Sequence, residues 1–464
     1  MLEPRQVRSR PEGQAHLPGG TPGAAKRRMR RRLLLSLAAL SALLAGVSVA
    51  LLTTRTLPGG TLETDVTDVT VVAPPPPPTW TAPPVTTAPL KPKPKPKPPR
   101  PKPPKPKPEP VDERCWTMFG GDARRSLARP SLDLGLPARK PLWARGLKEY
   151  MEYPPSYCDG VLYVNTFKGD TWAIEAATGK TVWKKVSTAP KPSTPAISGE
   201  NLIVSSKDGT VTALTRKSGK LVWQLRTNAI VESSPAVAEG VVYFGATDGR
   251  LFAVDADTGR VRWAYDTGGR INASPSLADG RVCITTYAGS VFCVRQRDGQ
   301  KLWSTYVRRD AFRYESFYAS ASTDGERLYT IARSGKIVTL DAASGRILWT
   351  DNVNSLGYST PAVGTDRIFV GDFNGGLRAY RKTDGRLLWR SVVGGRILGA
   401  PFIVGDLVFF STLETETYAA RVSDGRIVWR YGLGKYSPGI ATERAYYFSL
   451  NGLLVAFRGR NGPS

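Results

Sequence analysis

Tryptophan recurs along this chain at a nearly constant interval, and this repeat limits the possible folds more than any other feature. Successive tryptophans lie 40 residues apart, with one gap of 46, at Trp143, Trp183, Trp223, Trp263, Trp303, Trp349, Trp389 and Trp429. Seven of them follow a glycine by four residues, at Gly179, Gly219, Gly259, Gly299, Gly345, Gly385 and Gly425. A period near 40 residues indicates a repeat architecture in which each unit is one small sheet.

Each repeat has the pattern of four short strands separated by turns. In the clearest copy we predict strands at residues 235–238, 241–246, 251–255 and 261–265. The separators end in glycine, which supplies the positive φ that tight hairpins need. Runs such as Val-Val-Tyr-Phe at 241–244 are apolar on both faces, which is typical of strands covered on both sides. A four-stranded unit of this length predicts a β-propeller blade.

The ends of the repeat region predict how the ring closes. Residues 141–143 match the last strand of a blade, and residues 445–458 match a blade that lacks its last strand. Pairing of the two ends completes that blade and leaves no open sheet edge. Seven complete units and one shared unit therefore predict an all-β, eight-bladed propeller with four-stranded blades.

A long apolar segment precedes the repeats. The basic residues 26–32 are followed by twenty uncharged residues, 33–52, which are enough to span a bilayer as a helix at about 1.5 Å per residue. A basic flank stays cytoplasmic, so we expect a signal anchor in the cell membrane. The chain would be single-pass, with the propeller on the extracellular or periplasmic side. The alternative is a signal peptide cleaved near residues 48–50, although its apolar region usually has only about 7–15 residues.

Proline dominates the region between the apolar segment and the repeats. Residues 74–110 contain a proline run and Lys-Pro alternation, which favour an extended polyproline II spacer. We predict a disordered basic cytoplasmic tail at 1–32, a transmembrane helix at 33–52, a disordered Thr/Pro/Lys-rich linker at 53–110 and the propeller at 111–464. The single histidine, His16, lies in the tail, which argues against histidine-dependent acid–base or metal chemistry in the propeller.

The segment Ala-x-Asp-x-x-Thr-Gly-x-x-x-Trp at 253–263 resembles the tryptophan-docking motif of the pyrroloquinoline-quinone (PQQ) propellers. Two other copies are close to it, one with Glu175 in place of Asp and the other with Thr339 in place of Ala. The family includes quinoprotein dehydrogenases and cofactor-free relatives of the BamB type. The resemblance covers about residues 139–458 and implies that all eight repeat tryptophans pack between neighbouring blades.

Catalysis by a member of this family would imply bound PQQ, a Ca²⁺ held by Glu, Asn and Asp, and in many members a disulfide between adjacent cysteines. The chain has no adjacent cysteines, and the strands expected to line the channel offer mainly small neutral residues. Glu232 and Glu315 lie near them without forming a carboxylate cluster suited to Ca²⁺. We therefore expect no catalytic, cofactor-binding or metal-binding residues and no enzyme activity. A PQQ-dependent quinoprotein dehydrogenase and a sensor ectodomain are the alternatives.

The six extra residues of the longer repeat lie between Trp303 and Ala321, in a segment rich in arginine and aromatic residues. Such a composition is typical of binding hot spots. The candidate partner-binding residues are Arg270, Arg308, Arg309, Arg313, Tyr314, Phe317, Tyr318 and Arg396. Alternatively, the aromatics of the segment fill the core of their own loop. We expect a monomeric binding or scaffold module in the cell envelope, whose partner is an envelope protein or an anionic cell-wall polymer and not nucleic acid.

Four cysteines allow two disulfides, which an extracytoplasmic location permits. Cys283 and Cys293 flank a predicted hairpin turn, and opposed residues have Cβ atoms about 4.5–5.5 Å apart. We favour this pair, together with a Cys115–Cys158 pair that fastens the preceding segment to the first blade. The alternative is four buried thiols that act as small apolar side chains.

Overall fold

The computed structural model describes residues 114–462, except 415, 435, 437 and 438. The predicted cytoplasmic tail, transmembrane helix and linker lie outside these residues. Within the described part, no helix has both the length and the apolar character needed to cross a bilayer. Two short strands, β1 (Ala128–Arg129) and β2 (Trp143–Gly146), come before the first complete blade.

The first four blades are antiparallel sheets of four consecutive strands. Blade 1 contains β3 (Ser156–Cys158), β4 (Val161–Asn165), β5 (Thr171–Glu175) and β6 (Thr181–Lys185). Blade 2 contains β7 (Ala196–Ser198), β8 (Asn201–Ser205), β9 (Thr210–Thr215) and β10 (Leu221–Arg226). Blade 3 contains β11 (Ala236–Ala238), β12 (Val241–Gly245), β13 (Arg250–Asp255) and β14 (Val261–Asp266). Blade 4 contains β15 (Ser276–Ala278), β16 (Arg281–Thr285), β17 (Ser290–Arg295) and β18 (Lys301–Tyr306).

The next three blades repeat this order, and the last is shared between the ends of the propeller. Blade 5 contains β19 (Ser322–Thr323), β20 (Arg327–Ile331), β21 (Lys336–Asp341) and β22 (Ile347–Asn352). Blade 6 contains β23 (Ala362–Val363), β24 (Arg367–Gly371), β25 (Gly376–Arg381) and β26 (Leu387–Val392). Blade 7 contains β27 (Phe402–Val404), β28 (Leu407–Ser411), β29 (Thr417–Arg421) and β30 (Ile427–Tyr431). Blade 8 contains β31 (Gly439–Ala441), β32 (Ala445–Leu450), β33 (Leu453–Arg458) and β2.

The predicted eight-bladed, four-stranded architecture is confirmed, including the way in which the ring closes. Strand β2 pairs antiparallel with β33, with Trp143 opposite Ala456. The strand that precedes blade 1 therefore completes the blade formed by the end of the propeller. All five residues of β12 in blade 3 are buried, whereas the outermost strand β14 alternates between exposed and half-buried residues. Apolar side chains on both faces of the middle strands thus form the cores between blades.

The tryptophans join each blade to the next. In seven of the eight, the indole Nε1 donates a hydrogen bond to a backbone carbonyl of the following blade, at Ala176, Arg216, Ala256, Gln296, Ala342, Lys382 and Val422. The eighth, Trp429, instead stacks on Phe448 of blade 8, with ring centroids 5.7 Å apart. Each interface therefore combines the burial of an aromatic ring with a specific contact.

The constant spacing between glycine and tryptophan in successive repeats has a steric explanation. Gly259 lies against the indole of Trp223 from the preceding blade, and a Cβ at this glycine would come within 2.7 Å of that ring. Its φ of +73° also lies in the left-handed region that favours glycine. The glycine of each Gly-x-x-x-Trp unit thus receives the tryptophan of the previous unit, which explains why the two residues recur together.

Residues 115–129, which precede the repeats, lie across one end of the central channel, and we call them the N-terminal girdle. Its backbone carbonyls accept hydrogen bonds from the innermost strands of six blades, at Tyr157, Ile197, Leu277, Thr323, Val363 and Ile403. Strand β1, at the end of the girdle, adds a parallel fifth strand to blade 7. The girdle therefore closes the channel at the end where the innermost strand of each blade turns into the second strand.

Arg125 of the girdle is fully buried at the centre of this end. Its Nε donates to the carbonyl of Pro275 at 2.9 Å, and its two Nη atoms donate to the carbonyls of Phe119 and Ser234 at 2.5 and 2.8 Å. Burial lowers the pKa of Arg125 to about 9, an effect that the nearby Asp122 opposes. The guanidinium fork satisfies three carbonyls that would otherwise lack a donor in the closed channel.

The structure contains the two disulfides favoured by the sequence. Cys283 and Cys293 are opposed on β16 and β17, and Cys115 joins the girdle to Cys158 at the end of β3. We expect replacement of Cys115 and Cys158 by alanine to cost about 4 kcal/mol, and replacement of Cys283 and Cys293 about 3 kcal/mol. The reason is that the first pair closes a loop of 43 residues and the second a loop of 10.

Urea unfolding of the two double-alanine variants measures this difference. The Cys283 and Cys293 variant is the matched control, because it removes one disulfide and leaves the girdle fastened. An equal or larger loss in that control would contradict the explanation from loop length.

Candidate functional site: the insertion hairpin and the channel recess

Two sets of loops meet on the face of the ring opposite the girdle, and we call it the loop face. The segments between blades contact the turns between the second and third strands of each blade through backbone hydrogen bonds. Phe167, for example, donates its backbone N–H to Tyr150, and Tyr287 donates to Arg270 in the same way. This pairing repeats around the ring, so side chains from both sets of loops surround the open end of the channel.

The longer repeat places a small hairpin on the loop face, and we call residues 308–314 the insertion hairpin. Arg308 and Tyr314 form an isolated antiparallel bridge, and the N–H of Arg309 donates to the carbonyl of Arg313 at 2.9 Å. The Asp310 carboxylate accepts the backbone N–H of Arg313 at 2.9 Å and forms an ion pair with its guanidinium at 2.7 Å. These bonds organise the hairpin before any partner binds.

The most exposed large apolar side chain of the described residues is Phe312 at the tip of this hairpin, with 96% of its surface accessible. Arg308, Arg309 and Arg313 are exposed around it, and the Arg308 guanidinium lies over the Tyr314 ring at 5.4 Å. The sequence argument included Phe312 in the insertion but not among the candidate residues. Phe312 lies between Asp310 and Arg313, the two residues whose bonds close the turn, and this places it at the tip.

The other candidate residues lie apart from the hairpin tip. Phe317 is fully buried in the core between blades 4 and 5, so its side chain cannot meet a partner. Tyr318 is half-buried at the channel, where its ring packs against that of Tyr358 at 5.8 Å. Arg270 is exposed elsewhere on the loop face, and Arg396 forms an ion pair with Glu414 at 2.6 Å. The structure therefore brings Arg308, Arg309, Arg313 and Tyr314 together and leaves the remaining four outside that group.

Five residues from the segments between blades interact with one another at the channel, and we call this group the channel recess: Glu152, Tyr153, Glu232, Asn272 and Tyr318. Four of these residues stand nine positions after a repeat tryptophan, allowing for the six inserted residues before Tyr318. Glu232 accepts a hydrogen bond from Asn272 Nδ2 and forms an ion pair with Lys207 at 2.9 Å. The sequence argument named Glu232 here and missed Glu152, although both have the same offset from a tryptophan.

The recess shifts the ionisation of its acidic groups. Burial raises the pKa of Glu152 to about 7, and the Glu232 carboxylate adds to the rise while Lys207 opposes it. Burial also raises the pKa of Tyr153 and Tyr318, and the nearby carboxylates raise both further. Since the phenols stay neutral at ordinary pH, the charge of the recess depends on Glu152.

The residues of the recess do not fit the calcium-bound quinone of the dehydrogenases. Ca²⁺ takes about six to eight oxygen ligands, whereas both Glu232 oxygens already have partners in Lys207 and Asn272. Among the described residues, the one group of three metal-type ligand atoms within 4.8 Å of one another is Cys115, Cys158 and Asp159. Its two cysteines form a disulfide, and neither disulfide joins adjacent cysteines.

The blade number, the four-stranded blades and the tryptophan docking define an eight-bladed propeller of the tryptophan-docking class. The chain belongs to the family described as outer membrane protein assembly factor BamB, whose model matches residues 132–311 and 315–451. No curated protein sequence matches the chain.

Several solved structures share this fold. BamB from Moraxella catarrhalis is 15% identical with a TM-score of 0.61, over 69% of this chain and 99% of that one. The quinohemoprotein alcohol dehydrogenase from Comamonas testosteroni is 14% identical with a TM-score of 0.61, over 76% of this chain and 82% of that one. At such identities the similarity establishes the fold, and the fold serves both an assembly factor and an oxidoreductase.

Proposed function

We propose that this protein is a non-catalytic binding module of the cell envelope, anchored in the membrane by residues 33–52, and that the insertion hairpin is its main contact with an envelope protein. The observation that carries the proposal is the nearly complete exposure of Phe312 on a hairpin held by its own hydrogen bonds. Exposing an aromatic side chain to water is unfavourable, and a partner that covers it recovers that free energy.

The surroundings of Phe312 favour a partner with acidic residues. Arg308, Arg309 and Arg313 surround the aromatic tip, and of these only Arg313 is neutralised by a described carboxylate, that of Asp310. A rigid aromatic anchor with flanking arginines loses little conformational entropy on binding. Membership of a family named for an assembly factor supports the non-catalytic role, as does the poor fit of the recess to calcium and quinone.

A photo-crosslinking residue placed at position 312 in the full chain tests the proposal in cells. We expect one discrete crosslinked species from position 312, with a lower yield when the exposed Arg309 is also changed to serine. Val392 on β26 is the matched control position, because it is apolar and 60% exposed but lies on blade 6, two blades after the blade that precedes the hairpin. The same crosslinking pattern from positions 312 and 392 would count against the hairpin as the contact.

A further inference from the structure

The channel recess contains one buried hydrogen-bond acceptor without a donor, Asn272 Oδ1, beside the unpaired carboxylate of the half-buried Glu152, and the inference begins from this observation. Among the described residues, the Glu152 carboxylate has no hydrogen bond or ion pair. Asn272 donates its Nδ2 to Glu232, which as a carboxylate can only accept, and this assigns the other amide atom as Oδ1. Asn272 is 7% exposed, and its Oδ1 has no donor among the described residues. A buried acceptor without a donor is costly.

We propose that the channel recess binds an organic cation through a primary alkylammonium group, held by the Glu152 carboxylate and Asn272 Oδ1. Glu232, whose oxygens are already paired with Lys207 and Asn272, adds negative charge beside them. An ammonium carries three N–H donors and no acceptor, so it complements the Glu152 carboxylate and Asn272 Oδ1, two acceptors without a donor among the described residues. A bare divalent ion is a poorer match, because the recess offers only two carboxylates and both oxygens of Glu232 are already paired with Lys207 and Asn272.

The aromatic residues of the recess suit such a ligand. Tyr153 and Tyr318 both lie close enough to Glu152 and Glu232 to be affected by their charge, and aromatic rings attract a cation. Tyr153 packs edge-on against Phe119 of the N-terminal girdle, with ring centroids 5.6 Å apart. Because the girdle closes the other end of the channel, a ligand would reach these residues from the loop face. The ammonium group would therefore enter first, with its alkyl chain directed outwards.

The charges that face Glu152 make the expected binding dependent on pH. Lys207 and Glu232 interact with its carboxyl group, Tyr153 and Tyr318 stay neutral, and Arg270 acts on Tyr318 from the rim. The pKa of Glu152 is raised to about 7, so the carboxylate is mostly charged at pH 8 and mostly protonated at pH 6. Protonation removes the negative charge that attracts the ammonium, and affinity falls as the pH decreases.

Calorimetric titration of the full chain with n-butylammonium tests the proposal. We expect binding at pH 8, about tenfold weaker binding at pH 6 from the pKa of Glu152, and at least a tenfold loss in Glu152→Gln. Glutamine resembles the protonated carboxyl group, so this variant should fold. Glu200→Gln is the matched control, because it makes the same change at an exposed turn, and we expect it to keep the affinity of the unmodified chain.

Two further probes identify the source of the ammonium group. A short peptide with one internal lysine that binds more tightly than n-butylammonium indicates a side chain of a protein partner, and the reverse order indicates a free amine. Butan-1-ol has the same chain without the charge. Equal binding of butan-1-ol, unchanged affinity in Glu152→Gln, or no binding of either amine would overturn the proposal. Crosslinking from position 312 does not depend on Glu152, so failure here leaves the proposed function separately testable.

Discussion

Replacing Trp223 by alanine is expected to lower the free energy of unfolding by about 3–5 kcal/mol, the usual effect of deleting a large buried aromatic side chain. Trp223 is 8% exposed at the interface between blades 2 and 3, and its Nε1 donates to the Ala256 carbonyl at 2.9 Å. The substitution leaves a cavity against Gly259 and removes the donor of a buried carbonyl. Urea unfolding, followed by tryptophan fluorescence and circular dichroism, measures the loss.

Two controls separate the contributions at this interface. Trp223→Phe keeps much of the packing and loses the indole N–H, so we expect a smaller effect, with about 1 kcal/mol from the hydrogen bond. Gly259→Ala leaves the tryptophan in place and brings a methyl group within 2.7 Å of its ring at an unfavourable φ, so it should also destabilise the domain. A loss below about 1.5 kcal/mol for Trp223→Ala would show that the ring does not depend on this docking.

Replacing Arg125 by methionine is expected to cost about 3 kcal/mol or more, even though it removes a charge from a fully buried position. The substitution leaves the carbonyls of Phe119, Ser234 and Pro275 without their guanidinium donors. Each buried acceptor left unsatisfied costs about 1–3 kcal/mol. Methionine fills a similar volume, so lost hydrogen bonding should account for most of the change in unfolding free energy.

The neighbouring Arg124 supplies the matched control for this experiment. Arg124 is half-buried and contributes to the ring through its backbone carbonyl, which accepts the N–H of Thr323. Arg124→Met keeps that bond, so we expect a change within about 0.5 kcal/mol. Similar losses in both variants would mean that the girdle is sensitive to any substitution and that the guanidinium of Arg125 has no special role.

The ring was predictable from the sequence because one interaction recurs in it. Seven of the eight indoles pack against a glycine of the next blade, so glycine and tryptophan recur in a fixed order. Blade 3 was located to within one residue at every strand boundary. Closure by β2 followed from the same pattern, because 141–143 match a last strand without its predecessors. Such features are visible because every copy repeats the same physical requirement.

The girdle and the recess were harder to predict, for different reasons. The girdle occurs once, and its hydrogen bonds to six blades come from backbone atoms, so they require few particular side chains. Nothing in the sequence therefore distinguishes Arg125 from the other arginines. Glu152 belongs to a position that does recur, but it follows the strand at the start of the ring, where the unit is incomplete. Only the folded ring shows that Glu152, which precedes blade 1, lies near Glu232, which precedes blade 3.

The hydrogen bonds of the girdle also bear on how this propeller can change during evolution. Tryptophan docking is the same at seven of the eight interfaces, so by itself it would tolerate duplication or loss of a whole 40-residue unit. Carbonyls along the girdle accept hydrogen bonds from the innermost strands of six blades in their order around the ring. If a blade were added or lost, these carbonyls would no longer lie opposite their donors. The girdle therefore fits a ring with this number of blades, and we expect blade number to be more conserved than blade sequence among proteins that have a girdle.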